Sequence, residues 1–294
     1  MTPLSLPTTF PIKEGEFQIK SKLKRTTINS IAAAEPYKIG NYAQLNDLVA
    51  KLAHANRSYV LFFRGQKQEH RLGNRFPTIY PTLFRKHISQ GISLDELFQQ
   101  LENEQEMLRI RNHFRKPRFA GASSVMSSFQ LRWALLQHYE ICDTPMIDVS
   151  QSLHVATSFA LGGNEKGSDK SGIIYVLALP WPSKNYHNNK EEDLYLVRLA
   201  GITPPQAKRP YRQEAFAVMS NDLATTQIQN LDLQRLDFAN RLVCKFEINK
   251  SKEFWNNIAQ PLPKSFLSPK QDIFYQFMKK DIDSLTTVNW SFKK

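Results

Sequence analysis

Arg64 is the first residue whose type and place call for chemistry. It follows five apolar residues, Tyr59 to Phe63, and precedes Gly65 and Gln66. The apolar run reads as a strand buried on both faces. Burying a guanidinium without a partner is costly, so Arg64 meets either a core carboxylate or an anionic ligand. Gly65 suits a turn or a close backbone approach. A second stretch runs from Ile147-Asp148-Val149-Ser150 through Phe159-Ala160. It offers a carboxylate, Asp148, and a hydroxyl, Ser150, at a strand end. Ser150 then either caps the next helix or holds a ligand hydroxyl. The third stretch is Arg209-Pro210-Tyr211-Arg212-Gln213-Glu214-Ala215-Phe216. Gln213 and Glu214 read as strand neighbours, which point to opposite faces, so at most one of them faces a site.

The elements that must hold these residues are legible in outline. Leu45, Leu48, Val49 and Leu52 give a helix over 41–55, with Asn41 as its cap, leading into the Tyr59–Phe63 strand. Prolines at 77 and 81 keep the next stretch irregular up to the Leu83 region. Ser93 with Glu96 three residues on fits a capping box for a long helix over 93–114. A further helix over 128–141 places His138 on its apolar face, either as a hydrogen-bonded core histidine or as a base. Met146 to Ser150 is a short strand, followed by a helix over 152–161 that Gly162 and Gly163 stop. Strands are expected over 172–179, 194–199, 214–219 and 241–248, with a polar loop over 185–193 and short helices near 254–258 and 272–281. This pattern predicts an α+β fold, with an N-terminal helical part packed on a mainly antiparallel β-sheet. Residues 1–35 read as a basic arm, and residues 36–294 as one domain.

Composition narrows the function classes. The chain has 294 residues, 41% hydrophobic and 11% aromatic, enough for a sizeable core, and no apolar run approaches a membrane span. No basic-then-apolar leader opens it. Cys142 and Cys244 sit far apart inside apolar patterns and read as buried thiols of a cytoplasmic protein. The net charge of +12 favours anionic partners, with dense places at 20–25, 109–118 and 208–212. Asp281 and Asp283 read as surface charge. The seven histidines show no metal-ligand spacing, and no phosphate-loop, dinucleotide or nucleophile-elbow motif occurs, so no metal is expected.

Taken in order, Phe63-Arg64-Gly65-Gln66, Tyr80-Pro81-Thr82-Leu83-Phe84-Arg85, Leu136-Gln137-His138-Tyr139 and Ile147-Asp148 through Phe159-Ala160 resemble the FRG domain family, named for its Phe-Arg-Gly motif. The resemblance extends to about Val218, where Gln213 and Phe216 match a Gln-x-Gly-x-Phe-like element. Ala215, Glu140 and Val149 depart from the usual glycine, glycine and tryptophan. The order of Arg64, Ser150 and Gln213-Glu214 also resembles, more weakly, the arginine-type ADP-ribosyltransferases, whose split antiparallel sheets clasp NAD.

That second resemblance implies an NAD-dependent ADP-ribosyltransferase or NAD glycohydrolase of toxin or antiviral-defence type. NAD would be a substrate, and a protein or nucleic acid the acceptor. Arg64 would contact the pyrophosphate and Ser150 a ribose hydroxyl. A carboxylate would stabilise the oxocarbenium-like cation. The family match chooses Gln213 as the inward residue, with Glu214 as the carboxylate and Asp148 as the alternative. Asp148 reads otherwise as an ion-pair partner of Arg64 or Arg85. Tyr80, Tyr139 and Tyr211 are candidates to stack on nicotinamide or adenine, with Gly65 and His138 beside them. The competing reading is a non-catalytic module that binds a nucleotide or nucleic acid through the basic surface.

Overall fold

A computed structural model describes residues 28–71, 77–114, 119, 121–162, 171–221, 223, 233–251 and 253–279. In chain order its elements are α1 (Ile28–Ala33), β1 (Tyr37–Ile39), α2 (Tyr42–Ala55), β2 (Val60–Gln66), α3 (Thr82–Gln90), α4 (Leu94–Phe114), α5 (Ala122–Ser127), α6 (Phe129–His138), β3 (Ile147–Ser150) and α7 (Leu153–Ala160). They continue with β4 (Ser171–Leu179), β5 (Tyr186–Asn189), β6 (Leu194–Arg198), α8 (Lys208–Arg212), β7 (Ala215–Ser220), β8 (Leu242–Asn249), α9 (Lys264–Leu267) and α10 (Ile273–Lys279). The protein is α+β. Its described residues group into two compact units, one from Met1–Tyr80, Val149–Trp181 and Asp237–Lys264, the other from Pro81–Asp148, Pro182–Leu236 and Ser265–Lys294.

In the first unit the strand order is β1-β8-β4-β2, with the Val149–Ser150 end of β3 beside β2. β8, β4, β2 and β3 pair antiparallel, while β1 lies parallel to β8, so the sheet is mixed. The strands do not wait for a helical N-terminal part: β1 and β2 flank α2. Asn41 caps α2 as its spacing predicts, its Oδ1 accepting from the Gln44 amide at 2.9 Å. Tyr42, Leu45, Leu48 and Leu52 of α2 join Leu61, Phe63, Ile174, Val176, Phe246 and Ile248 in one core that also takes in Leu153, Ala156 and Ala160 of α7. Each such large apolar side chain contributes about 1.5–3 kcal/mol when fully buried. Tyr42, Phe254 and Trp255 close one end of it, with the Tyr42 and Trp255 rings 5.0 Å apart.

α7 lies unusually close to the sheet, and two glycines make that possible. A Cβ on Gly65 would sit 1.8 Å from the Ala156 carbonyl oxygen, and one on Gly172 would sit 2.2 Å from that of Ala160. Small residues on the helix and glycines on the strands bring the two backbones together.

In the second unit β7, β6 and β5 form an antiparallel series in that order. β5 occupies Tyr186–Asn189, inside the stretch expected to be loop. Its sequence, Tyr-His-Asn-Asn, is polar throughout, so no apolar alternation marks it as a strand. α3, α4 and α6 pack through Leu83, Phe84, Phe98, Leu101, Trp133 and Leu135, all buried. Ser93 Oγ accepts from the Glu96 amide at 3.1 Å at the start of α4. α6 ends at His138, and Glu140 follows in the left-handed region at φ 54°.

The basic cluster at 20–25, the end of the cluster at 115–118, and Asp281 and Asp283 lie outside the described residues. Of the arm, residues 28–33 form α1. No helix among the described residues is long and apolar enough to cross a membrane.

Candidate functional site

β2 presents two different faces. Leu61 and Phe63 belong to the core under α7, and Gly65 lies against α7's backbone. Strand alternation sends Phe62, Arg64 and Gln66 to the other face. There Arg64 stands opposite Tyr175 of β4, and Tyr175 stands opposite Lys245 of β8. The three make a row across three strands. Lys245 is buried, and its ammonium donates to Glu69 Oε1 at 2.6 Å and to the Ala32 carbonyl of α1 at 2.9 Å. Glu69 also lies 3.6 Å from Arg71. Tyr175 is 1% exposed, and its hydroxyl has no hydrogen-bond partner among the described residues. Burial pushes that phenol well above its usual range, the Glu69 charge adds to this, and Arg64 and Arg71 oppose it. It therefore stays a neutral hydroxyl. Arg64 itself is half-buried.

Ser150 does not accompany Arg64. It pairs with Phe63 in the β2–β3 register, and directly paired residues share a face. Its hydroxyl thus stands on the α7 side of the sheet and Arg64 on the other. Ser150 Oγ accepts from the Ser152 amide at 3.0 Å, and the helix cap is Ser152, whose Oγ accepts from the Val155 amide at 3.4 Å. The Ser150 hydroxyl thus takes part in a local turn at the entry to α7. Gly65 is likewise taken up by the approach of α7, not by open space for a cofactor. Tyr80 is half-buried next to Ile79, whose amide donates to Asp237 Oδ1 at 2.8 Å.

The other expected residues belong to the second unit. His138 is fully buried at the end of α6, with Nδ1 3.5 Å from Asp148 Oδ1, long for a hydrogen bond. Burial lowers its pKa, and the nearby Asp148 carboxylate counters this only in part. The ring is therefore neutral, as a core histidine would be. Tyr139 is also fully buried, its ring 5.3 Å from Phe274, 6.3 Å from Tyr275 and 5.4 Å from His138. A ring so enclosed has no free face for nicotinamide or adenine. Burial, followed by the Asp272 charge, raises its phenol pKa.

Asp272 is a residue the sequence reading passed over. It is wholly buried, and its carboxylate accepts from the amides of Arg209 at 2.8 Å, Phe274 at 2.9 Å and Tyr275 at 3.2 Å. An aspartate just before an aromatic-rich helix was a readable N-cap signal. Arg209 pairs in turn with Glu140. Arg85 donates to Thr82 Oγ1 at 2.6 Å and feels the charge of Asp143, which is ion-paired with Lys86.

Gln213 and Glu214 are not strand residues. Gln213 is the C-cap of α8 and Glu214 follows at φ 45°, before β7 begins at Ala215. Strand alternation cannot sort them. Gln213 is buried, its Nε2 donating to the Leu267 carbonyl at 2.9 Å. Glu214 is exposed and makes no ion pair among the described residues. α8 was not expected, and Pro210 within five residues gives no helical periodicity to read.

Residues 59–169 match the family model of the FRG domain. That stretch belongs to the FRG domain family. The match opens on β2 and closes beyond α7, so the FRG domain supplies Arg64, Gly65, His138, Tyr139, Asp148 and Ser150, while Tyr175, Gln213, Glu214 and Asp272 lie after it. No curated protein and no solved structure matches the chain. Within the FRG domain the name-giving tripeptide divides its tasks: Phe63 fills the core, Gly65 admits α7, and Arg64 faces away from both.

Proposed function

We propose that the protein binds a nucleotide of the NAD class, with Arg64 as the contact for its pyrophosphate. The observation that carries this is the place of Arg64: a half-buried guanidinium on the face of β2 opposite the core, in a row with the buried Tyr175 hydroxyl. A strand fixes the guanidinium, which suits it to bidentate recognition of a phosphate.

The narrower reading is ADP-ribosyl transfer or NAD hydrolysis. The bond between nicotinamide and ribose C1′ breaks, nicotinamide leaves as the neutral base, and water or an acceptor nucleophile bonds to C1′ and loses a proton. A carboxylate stabilises the oxocarbenium-like cation in between. Of the carboxylates named from sequence, Glu214 is exposed and without an ion pair among the described residues, whereas Asp148 lies against His138. Glu214, in the second unit, is the carboxylate whose substitution tests turnover, separately from the Arg64 contact in the first. A toxin or antiviral-defence role in the cytoplasm goes with NAD chemistry. The thiols of Cys142 and Cys244, both pushed up by burial to about 12, would stay unreactive there.

The test is a thermal-shift series with NAD, ADP-ribose and ATP, run beside an assay for released nicotinamide. Stabilisation by NAD that Arg64→Ala abolishes supports the binding reading. Release by wild type that Glu214→Gln abolishes supports the narrower one. Binding without release leaves a nucleotide-binding module. Absence of stabilisation by any of the three ligands overturns the proposal.

A further inference from the structure

The second unit carries a surface built from α8 and the start of its Ser265–Lys294 segment. Tyr211 is 45% exposed, yet its hydroxyl donates to the Ala200 carbonyl at 3.0 Å, so the ring is anchored while its sides stay open. Phe266 is 39% exposed, and the Arg212 guanidinium lies 4.5 Å from its ring centroid. Arg212 Nη1 also donates to the Phe266 carbonyl at 3.0 Å, so the guanidinium is fixed against the ring. Pro210 is buried beneath the short helix and limits its motion. These are flat π-surfaces held in place on the outside of the molecule.

Charge says what fits them. Arg209 is neutralised by Glu140, but Lys208 and Arg212 have no carboxylate partner among the described residues. Glu214 is the nearest acidic residue in sequence. The whole chain carries a net charge of +12. Anchored aromatics beside uncompensated cations are the two components of sequence-tolerant binding to unpaired nucleotides: bases stack on the rings while lysine and arginine meet phosphates. An acidic peptide would use the cations and leave the rings idle.

The geometry points to the α8 surface as a binding site for single-stranded nucleic acid, with Tyr211 and the Arg212–Phe266 pair as stacking platforms and Lys208 as a phosphate contact. This stands independently of the NAD reading.

The experiment is fluorescence anisotropy with labelled 12-nucleotide single-stranded DNA and RNA, the matching duplex, and polyglutamate as competitor, using the full chain. Single strands bind at low salt, and the affinity falls as salt rises. Tyr211→Ala and Phe266→Ala each weaken binding about tenfold with the salt dependence unchanged, the signature of lost stacking. Lys208→Gln lowers the salt slope by about one phosphate contact. Tyr211→Phe, which keeps the ring, retains most of the affinity and guards against misfolding in the alanine variant. No binding of either strand at low salt overturns the inference. So does equal binding by the duplex, or displacement by polyglutamate with the aromatic variants behaving as wild type, since either shows polyanion attraction alone. DNA and RNA titrated in parallel tell which strand is preferred, and no NAD enters the measurement.

Discussion

Arg64 and Tyr175 face each other across the β2–β4 ladder, on the side of the sheet away from α7. A cation half open to solvent thus adjoins a phenol that is almost wholly enclosed. The Tyr175 hydroxyl has no hydrogen-bond partner among the described residues. An enclosed hydroxyl left unmatched costs about 1–3 kcal/mol, so removing it relieves that cost. Tyr175→Phe is expected to leave stability unchanged or raise it by up to ~1 kcal/mol in urea unfolding. A clear loss of stability would show that the hydroxyl is matched and that the row is tighter than its geometry indicates.

Gly65 and Gly91 separate two reasons for a glycine. At Gly65 an added Cβ collides with the backbone of α7, whereas Gly91 sits at φ 71° with open space around it. Gly65→Ala is expected to cost about 3 kcal/mol or more, because backbone cannot yield as a side chain does. Gly91→Ala carries only the left-handed strain, roughly 1–2 kcal/mol. Equal losses in denaturant titrations of the two variants would refute the close-approach account.

Lys245 and Glu69 form an ion pair with very little of the lysine in contact with water, and the lysine also holds the α1 carbonyl of Ala32. Removing one member leaves the other charge buried. Glu69→Gln and Lys245→Met are each expected to lower stability by about 3–5 kcal/mol. The double variant Lys245→Met/Glu69→Leu should recover much of that loss. Strict additivity of the single changes would mean the pair is not coupled.

His138 makes the protein sensitive to mild acid. Its folded pKa lies below the unfolded value because burial disfavours the charged ring. The unfolded chain therefore binds a proton that the folded one resists. The resulting stability is fully present above about pH 6.5 and declines as pH falls below it, by at most ~1.4 kcal/mol per pH unit. The unfolding free energy of His138→Phe, measured from pH 7.5 to 5, should show a flatter profile than wild type. Parallel profiles would place the acid sensitivity elsewhere.

Much of this architecture could be read from local signals. The apolar run into Arg64, the Asn41 cap and the helix from Leu153 each announce themselves within a few residues. β5 did not, since a polar edge strand has no apolar side to alternate. α8 did not, because five residues around a proline hold no period. The α+β class was legible, but the parallel pairing of β1 with β8 joins residues far apart in the chain and leaves no local trace. For the candidate site the limit was register. Arg64 and Ser150 occur in the expected order, yet order along a chain does not say which face a side chain takes. Only the pairing of Ser150 with Phe63 reveals that it stands on the side opposite Arg64. The faces of Gln213 and Glu214 were unreadable for a related reason: the strand expected from Glu214 starts one residue later, at Ala215.

The notches at Gly65 and Gly172 have a mechanical consequence. The α7 backbone keys into the sheet from one side, and the strand it grips carries Arg64 on the other. The position of the strand that carries the guanidinium is therefore fixed from the opposite face of the sheet. Bulkier side chains at Ala156 or Ala160 would press on that same contact and so bear on the strand that carries Arg64.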